Sequence, residues 1–354
     1  MISNRLDLVR LKMVRNGVDQ LVITKPQDIF YLTGFWVDAH DRLDALIITQ
    51  DTCQMLCHDL AVIYPPDCKV TIYSNTSQTI NHLSGLLTNA VTGIDGFLHS
   101  RFLLPLIEIR PKLKLKISTC VEEARMYKDA EEISRLRFAS EITDKVFANA
   151  LGHIREEMTE LELGDMFSAC FAQEGVGYFH GNPMVSFGYS SSFPHHSPGL
   201  TRLRPGDTVC IDTGKRINGY YSDMTRTFFF KSCSKEQRKI YEIVLEANKA
   251  AIQAVKPGAL IRDIHLAASS IIKQAGFSEY FPHRTSHGIG IDYHEEPFDL
   301  DNRALQVAEG MCFSIEPGIY LPNQFGIRIE DLIVVTNNGC SLLNHAPKKL
   351  AVIT

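Results

Sequence analysis

The sequence predicts an α/β domain over residues 1–122 followed by an α+β domain over residues 123–354. Three observations predict it. Over the first 120 residues, short apolar runs alternate with helix-like stretches, as in an α/β unit. A charged stretch of helical period begins at Glu122. From about residue 176, Gly, aromatic and β-branched residues take over, which suits loops and strands. A chain of 354 residues has room for two domains of roughly 100–200 residues each.

Taken in order, Leu6, Val9, Leu11, Met13 and Val14 lie broadly on one side of an opening helix that Gly17 ends. QLVIT reads as a strand, and DIFYLTGF as a short helix running into a Gly turn. The apolar runs ALIIT, CQMLC, KVTIY and AVTGI follow as strands, with a helical stretch near 77–88 between the last two. From Glu122 to about Leu151, the residues Ile133, Leu136, Phe138, Ile142, Val146 and Phe147 recur at helical spacing and predict one long amphipathic helix. A second helix is expected at about 159–173, with Thr159-x-x-Glu162 as a capping box. Two further helices fit 235–255 and 260–275, broken by Pro257-Gly258. Strands and turns return from Gly310 to Thr354, so helices and an antiparallel sheet occupy separate stretches.

Composition narrows the function. Apolar residues make up 45% of the chain and charged residues 22%, enough apolar surface to offset chain entropy. The net charge is −5 and no basic block occurs, which disfavours nucleic acid and anionic lipid as partners. No run of about 18 apolar residues exists, so no membrane span is expected. The opening residues lack an apolar h-region, so a cytoplasmic protein is expected. Nine cysteines with no C-x-x-C pair read as reduced thiols, neither a disulfide framework nor a zinc ribbon.

Three clusters carry chemistry. In the first, Asn218-Gly219 is a two-residue hairpin signal between Asp212 and Asp223. With those two in the turn, 217 pairs with 220 and 212 with 225. Asp223 shares the side of 225, so both aspartates project from one face. Carboxylates that close repel unless a cation or proton lies between them. In the second cluster, His283, His287 and His294 fall within twelve positions around Gly288 and Gly290. Imidazole is a common ligand for divalent transition metals. In the third, Glu316 ends the apolar stretch MCFSI, and Arg328 and Glu330 share one face of a strand while Asp331 points away. Taken alone, that last pair suggests an internal salt bridge. Together, four carboxylates and one histidine suffice for two metal ions, which can activate water and polarise a carbonyl. Oxygen-rich ligation favours manganese or cobalt over a structural zinc site.

The arrangement resembles the M24 metallopeptidases: proline dipeptidases (prolidases), aminopeptidases P and methionine aminopeptidases. They share the pita-bread fold, here the creatinase/aminopeptidase-like C-terminal domain. The resemblance covers nearly the whole chain. It implies that Asp212, Asp223, His287, Glu316 and Glu330 bind two divalent ions, Mn2+ first, with Co2+ or Zn2+ as alternatives. Asp223 and Glu330 would bridge them, Asp212 would hold one, and His287 and Glu316 the other. It implies roles near the substrate for His195, His283 and His294, and places Arg328 next to the last glutamate. His195, 17 residues before Asp212, matches better than His196.

The N-terminal α/β domain, of creatinase/prolidase type, points to prolidases and aminopeptidases P. The segment from Tyr31 to Arg42 resembles a prolidase loop that reaches over the other subunit's active site. That implies a homodimer, with Asp38, His40 and Arg42 contacting substrate. Two departures stand out: Asp41 replaces a usual glutamate, and Tyr293 replaces a small aliphatic residue before the histidine. The expected activity is hydrolysis of Xaa-Pro dipeptides. Glu316 would serve as proton shuttle, His294 or His195 would stand at the oxyanion, and Arg328 or a histidine would hold the substrate carboxylate. Alternatives are an aminopeptidase P acting on longer Xaa-Pro peptides, another chemistry on this fold such as hydrolysis of creatine or an ectoine derivative, and a non-catalytic binding protein.

Overall fold

A computed structural model describes residues 2–37, 41–60, 68–177, 183–297 and 305–354. The chain divides into two compact units, Met1–Arg125 and Met126–Thr354.

The first unit runs α1 (Ser3–Arg15), β1 (Gln20–Ile23), α2 (Pro26–Thr33), β2 (Ala45–Thr49), β3 (Cys53–His58), β4 (Lys69–Tyr73), α3 (Thr79–Leu86), β5 (Val91–Ile94), α4 (Ser100–Ile109), β6 (Lys114–Ile117) and α5 (Cys120–Arg125). Its strands form one mixed sheet in the order β4-β3-β2-β1-β5-β6. Val22, Ala45, Ile47 and Leu56 of the sheet pack against Leu83 of α3 and Leu106 of α4. Helix α1 corrects the expected stripe: Leu6, Val9 and Met13 are buried, but Leu11 and Val14 are 58% and 64% exposed. At about 100° per residue those two point away from the other three. Pro26 starts α2, and Gly34 ends it in the left-handed region at φ 77°. Helix α4 and strand β6 escape the sequence reading, because Pro105 interrupts one and charges alternate through the other. Arg125 ties α5 to α2 through a buried ion pair with Asp28 at 2.6 Å. A cut after residue 122 would therefore fall inside a helix packed on the first unit.

The second unit begins with α6 (Ala130–Leu151) and α7 (Glu160–Gln173). The single long helix expected from Glu122 is thus two. Asp129 caps α6 through the Glu132 N–H, and Glu132 answers through the Asp129 N–H, which fixes a new N-terminus there. Strands β7 (Met184–Phe187), β8 (Thr208–Thr213), β9 (Arg216–Ile217), β10 (Tyr220–Tyr221) and β11 (Met224–Phe230) follow. Then come α8 (Lys235–Ala254), α9 (Ile261–Gln274), β12 (Cys312–Ile315), β13 (Gly318–Leu321), β14 (Phe325–Arg328), β15 (Asp331–Thr336), β16 (Gly339–Leu342) and β17 (Val352–Ile353). One sheet has the order β17-β11-β8-β7, another β12-β15-β16, and β13 and β14 form a hairpin.

Helices α6 and α7 bury Val146, Phe147, Phe167 and Phe171 against Val185, Val209 and Ile211 of the first sheet. Helices α8 and α9 bury Ile240, Val244, Ile264 and Ile272 against Phe313, Ile327 and Ile333. Each such side chain contributes about 1.5–3 kcal/mol of burial. The two layers hold rigid the strand ends that carry the polar residues described next. No helix among the described residues is long and apolar enough to cross a membrane. The nine cysteines are free thiols.

Candidate metal centre

The β8–β11 hairpin has the register its turn predicts. Ile217 pairs with Tyr220 and Asp212 with Thr225. Asn218 and Gly219 both take positive φ, 50° and 89°, as this turn requires. The strands then pinch at Gly214, where a Cβ would strike the Ser222 carbonyl. Asp223 therefore emerges beside Asp212 on the same wall of one cavity.

The other walls are equally fixed by backbone pairing. The Ser314 N–H donates to the His287 carbonyl at 2.9 Å, and the His287 N–H to Ser314 Oγ at 3.0 Å. Glu316 follows directly, its N–H donating to the Thr285 carbonyl at 2.8 Å. The Glu330 N–H donates to the Thr225 carbonyl at 3.1 Å, and Thr225 Oγ1 donates to Glu330 Oε2 at 2.7 Å. Buried Asn248 of α8 donates to the carbonyls of Ile315 and Ile329 at 3.0 and 3.3 Å. One amide thus clamps the residues just before Glu316 and Glu330.

A cavity of about 1160 Å³ collects all nine catalytic and ligand candidates of the second unit. These are Asp212, Asp223, His287, Glu316 and Glu330, with His195, His283, His294 and Arg328. Within it, one donor atom each from Asp223, His287 and Glu330 lies within 4.8 Å of the others, and all three residues are buried. His287 Nε2 is 3.5 Å from Asp223 Oδ2, 3.5 Å from Glu316 Oε1 and 4.0 Å from Glu330 Oε1. Asp212 and Glu316 lie outside that tight trio but face the same space.

The electrostatics call for positive charge. Burial pushes Asp212 up to about 7, against the pull of Arg328 and helped by the charges of Asp223 and Glu316. Burial and neighbouring carboxylates also push Glu316 up and Glu330 well up. Burial alone would lower His287, but its hydrogen bond to the Asp223 carboxylate and the charge of Glu316 raise it to about 9. Asp212 Oδ1 and Glu330 Oε1 are buried with no hydrogen-bond partner among the described residues. Buried carboxylate oxygens are paired or bind cations. The donor set fits divalent ions that take carboxylate and imidazole.

Arg328 pairs with Asp212, not Glu330, at 2.7 Å. Its other donors reach Tyr320 Oη at 2.7 Å, the Pro194 carbonyl at 3.1 Å and Thr225 Oγ1 at 3.1 Å. Asp331 points away, as expected, to Arg226 and Lys348. His283 faces the Arg284 carbonyl with Nδ1 at 2.7 Å and Tyr320 Oη with Nε2 at 2.8 Å. Nδ1 must therefore be the donor, and Tyr320 donates to Nε2. Desolvation lowers His283 to about 4, which keeps the ring neutral. Desolvation and the neighbouring His287 likewise lower His294 to about 4. His195 lines the cavity, whereas His196 turns to buried Glu160 at 2.8 Å. Glu160 also accepts the Phe187 and Gly199 N–H groups, both at 2.9 Å, so it anchors the loop that carries His195.

Asp38 and His40 lie outside the described residues. Arg42 is partly buried, 3.6 Å from Asp41. Sequence reasoning missed Tyr320, Thr225 and Asn248, whose partners lie on other elements. It also missed Arg262, His265, Leu266 and Phe281, which line the cavity from α9 and the segment after it.

The model of metallopeptidase family M24 matches residues 134–337, and that of the creatinase/prolidase N-terminal domain matches residues 5–126. An uncharacterized peptidase of Staphylococcus aureus strain USA300 is 37% identical over 347 residues, covering 93% of this chain and 95% of that protein. The crystal structure of the dipeptidase PepE from Mycobacterium ulcerans is similar at TM-score 0.91 and 31% identity, over 99% of this chain and 97% of that one. The Xaa-Pro dipeptidase from Bacillus anthracis is similar at TM-score 0.90 and 26% identity, over 99% of both chains. An X-Pro aminopeptidase from Thermotoga maritima is similar at TM-score 0.86 and 25% identity, over 97% of this chain and 100% of that one.

Proposed function

The chain belongs to metallopeptidase family M24, and from that premise we propose that it hydrolyses Xaa-Pro dipeptides. The fold is the creatinase-type N-terminal domain followed by the pita-bread catalytic domain. The observation that carries the proposal is the convergence of Asp212, Asp223, His287, Glu316 and Glu330 on one cavity, in a chain that also carries that N-terminal domain. On this reading the five residues hold two divalent ions, Mn2+ first among them. Such a pair supplies an activated water near neutral pH and polarises the scissile carbonyl.

The chain's own groups do the rest. Glu316, partly open to the cavity, takes the proton of the attacking water and delivers it to the leaving nitrogen. That nitrogen belongs to proline and carries no hydrogen in the peptide, so it must gain a proton to depart as an amine. His294, exposed beside His287, donates to the developing oxyanion. Arg328 is committed to Asp212, Tyr320 and Thr225, so it orients Asp212. Substrate-carboxylate binding then falls to His195. Neutral His283 holds Tyr320 and, through it, Arg328.

In a cytoplasmic homodimer, Asp38, His40 and Arg42 of one copy would close the other copy's pocket and limit substrate length. An aminopeptidase P is the second reading, favoured by the likeness to the Thermotoga enzyme. The manganese-loaded protein is given a Xaa-Pro dipeptide and the matching Xaa-Pro-Yaa tripeptide in parallel. The dipeptidase reading expects kcat/KM for the dipeptide to exceed that for the tripeptide by about 100-fold, the scale of one well-placed recognition contact or clash. A preference for the tripeptide selects aminopeptidase P.

A further inference from the structure

The hydroxyl of Tyr293, the residue before His294, has a partner. It lies 2.6 Å from Asp223 Oδ1. A carboxylate only accepts, so the phenol donates. The ring is held on three sides: edge-on to Tyr221 at 5.5 Å, stacked on His294 at 5.2 Å and facing His287 at 6.1 Å. The turn that carries it is closed by the Gly288–Glu295 bridge and tied to β10 by the Tyr221 N–H on the Gly290 carbonyl at 2.8 Å. Glu295 is anchored by buried Lys128 at 2.7 Å. The hydroxyl is therefore aimed at one oxygen of Asp223 by a rigid frame.

We propose that Tyr293 is a positioning residue that locks Asp223 in its ligating orientation. The proposal rests on the reading of Asp223 as a metal ligand. A carboxylate offers about four acceptor sites. Tyr293 takes one on Oδ1, and Oδ2 turns towards His287 Nε2 at 3.5 Å. Among the described residues no other hydrogen bond holds Oδ1. Loss of a hydrogen-bond partner behind a ligand typically weakens metal binding by about 10–100-fold.

The test is chelator competition for Co2+, with visible absorption of the cobalt-loaded protein, on wild type, Tyr293→Phe and Tyr293→Val. The expected result is about 10-fold weaker Co2+ binding for Tyr293→Phe, with altered ligand-field bands. Wild-type affinity and an unchanged spectrum in Tyr293→Phe would overturn the proposal. So would an intense phenolate-to-metal band in the wild type that the variant loses, because Tyr293 would then be a ligand itself. If Tyr293→Phe does not fold, Tyr293→His, which keeps a ring and a donor, is compared with Tyr293→Val. Tighter binding by the His variant supports the role and equal binding overturns it. A wild-type chain that takes up no Co2+ refutes the metal reading, and this proposal with it. Wild-type uptake with an unaffected Phe variant refutes this proposal alone.

Discussion

Replacing Asp223 with alanine is expected to abolish turnover and to strip the protein of bound metal. Asp223 sits at the centre of the buried cluster, within reach of His287 and Glu330 and 1% exposed. Its charge is felt by Asp212, Glu316 and Glu330. If it bridges two ions, its loss removes a ligand from both at once, and activation of water goes with them. Metal content falls from two ions per chain to none by elemental analysis, while far-ultraviolet circular dichroism remains that of the wild type. Retained metal with retained activity would mean that Asp223 is an ordinary buried carboxylate.

Replacing His294 with alanine is expected to lower kcat by about 100-fold or more, the scale of losing an oxyanion donor or proton-transfer group. Metal content stays at the wild-type level, because the His294 ring lies tilted against His287, centroids 3.9 Å apart, without belonging to the tight trio. The separation of the two readouts is the point. A His294→Ala protein that loses its metal would move His294 into the ligand set and overturn the proposed division of roles.

The parts of this site that the sequence discloses are those governed by local rules. Asn218-Gly219 dictates a tight turn, the turn dictates register, and alternation then brings Asp212 and Asp223 to one wall. The same alternation separates Arg328 and Glu330 from Asp331. What the sequence conceals depends on partners far along the chain. Nothing near Arg328 announces that it pairs with Asp212, 116 residues away. Nothing near Asn248 announces two carbonyls on strand ends. Tyr293 is visible as a departure from the family pattern, but its partner lies 70 residues away.

Other misses were legible. Asp129 and Glu132 form a capping box that divides the long helix, and apolar periodicity alone conceals it. In α1, counting apolar residues without their angles credits Leu11 and Val14 to a face they do not share. Pro105 inside α4 argues against a helix that packing nonetheless stabilises through Leu106.

If a pair of divalent ions held by these five residues makes the protein a peptidase, metal and turnover must be lost and regained together. The most direct measurement is metal stoichiometry and Xaa-Pro dipeptide turnover on one preparation, before chelation, after exhaustive chelation and after Mn2+ is restored. The expected result is two ions per chain at saturation, no turnover in the chelated protein and recovery with Mn2+. Full activity in a protein stripped of metal would contradict it.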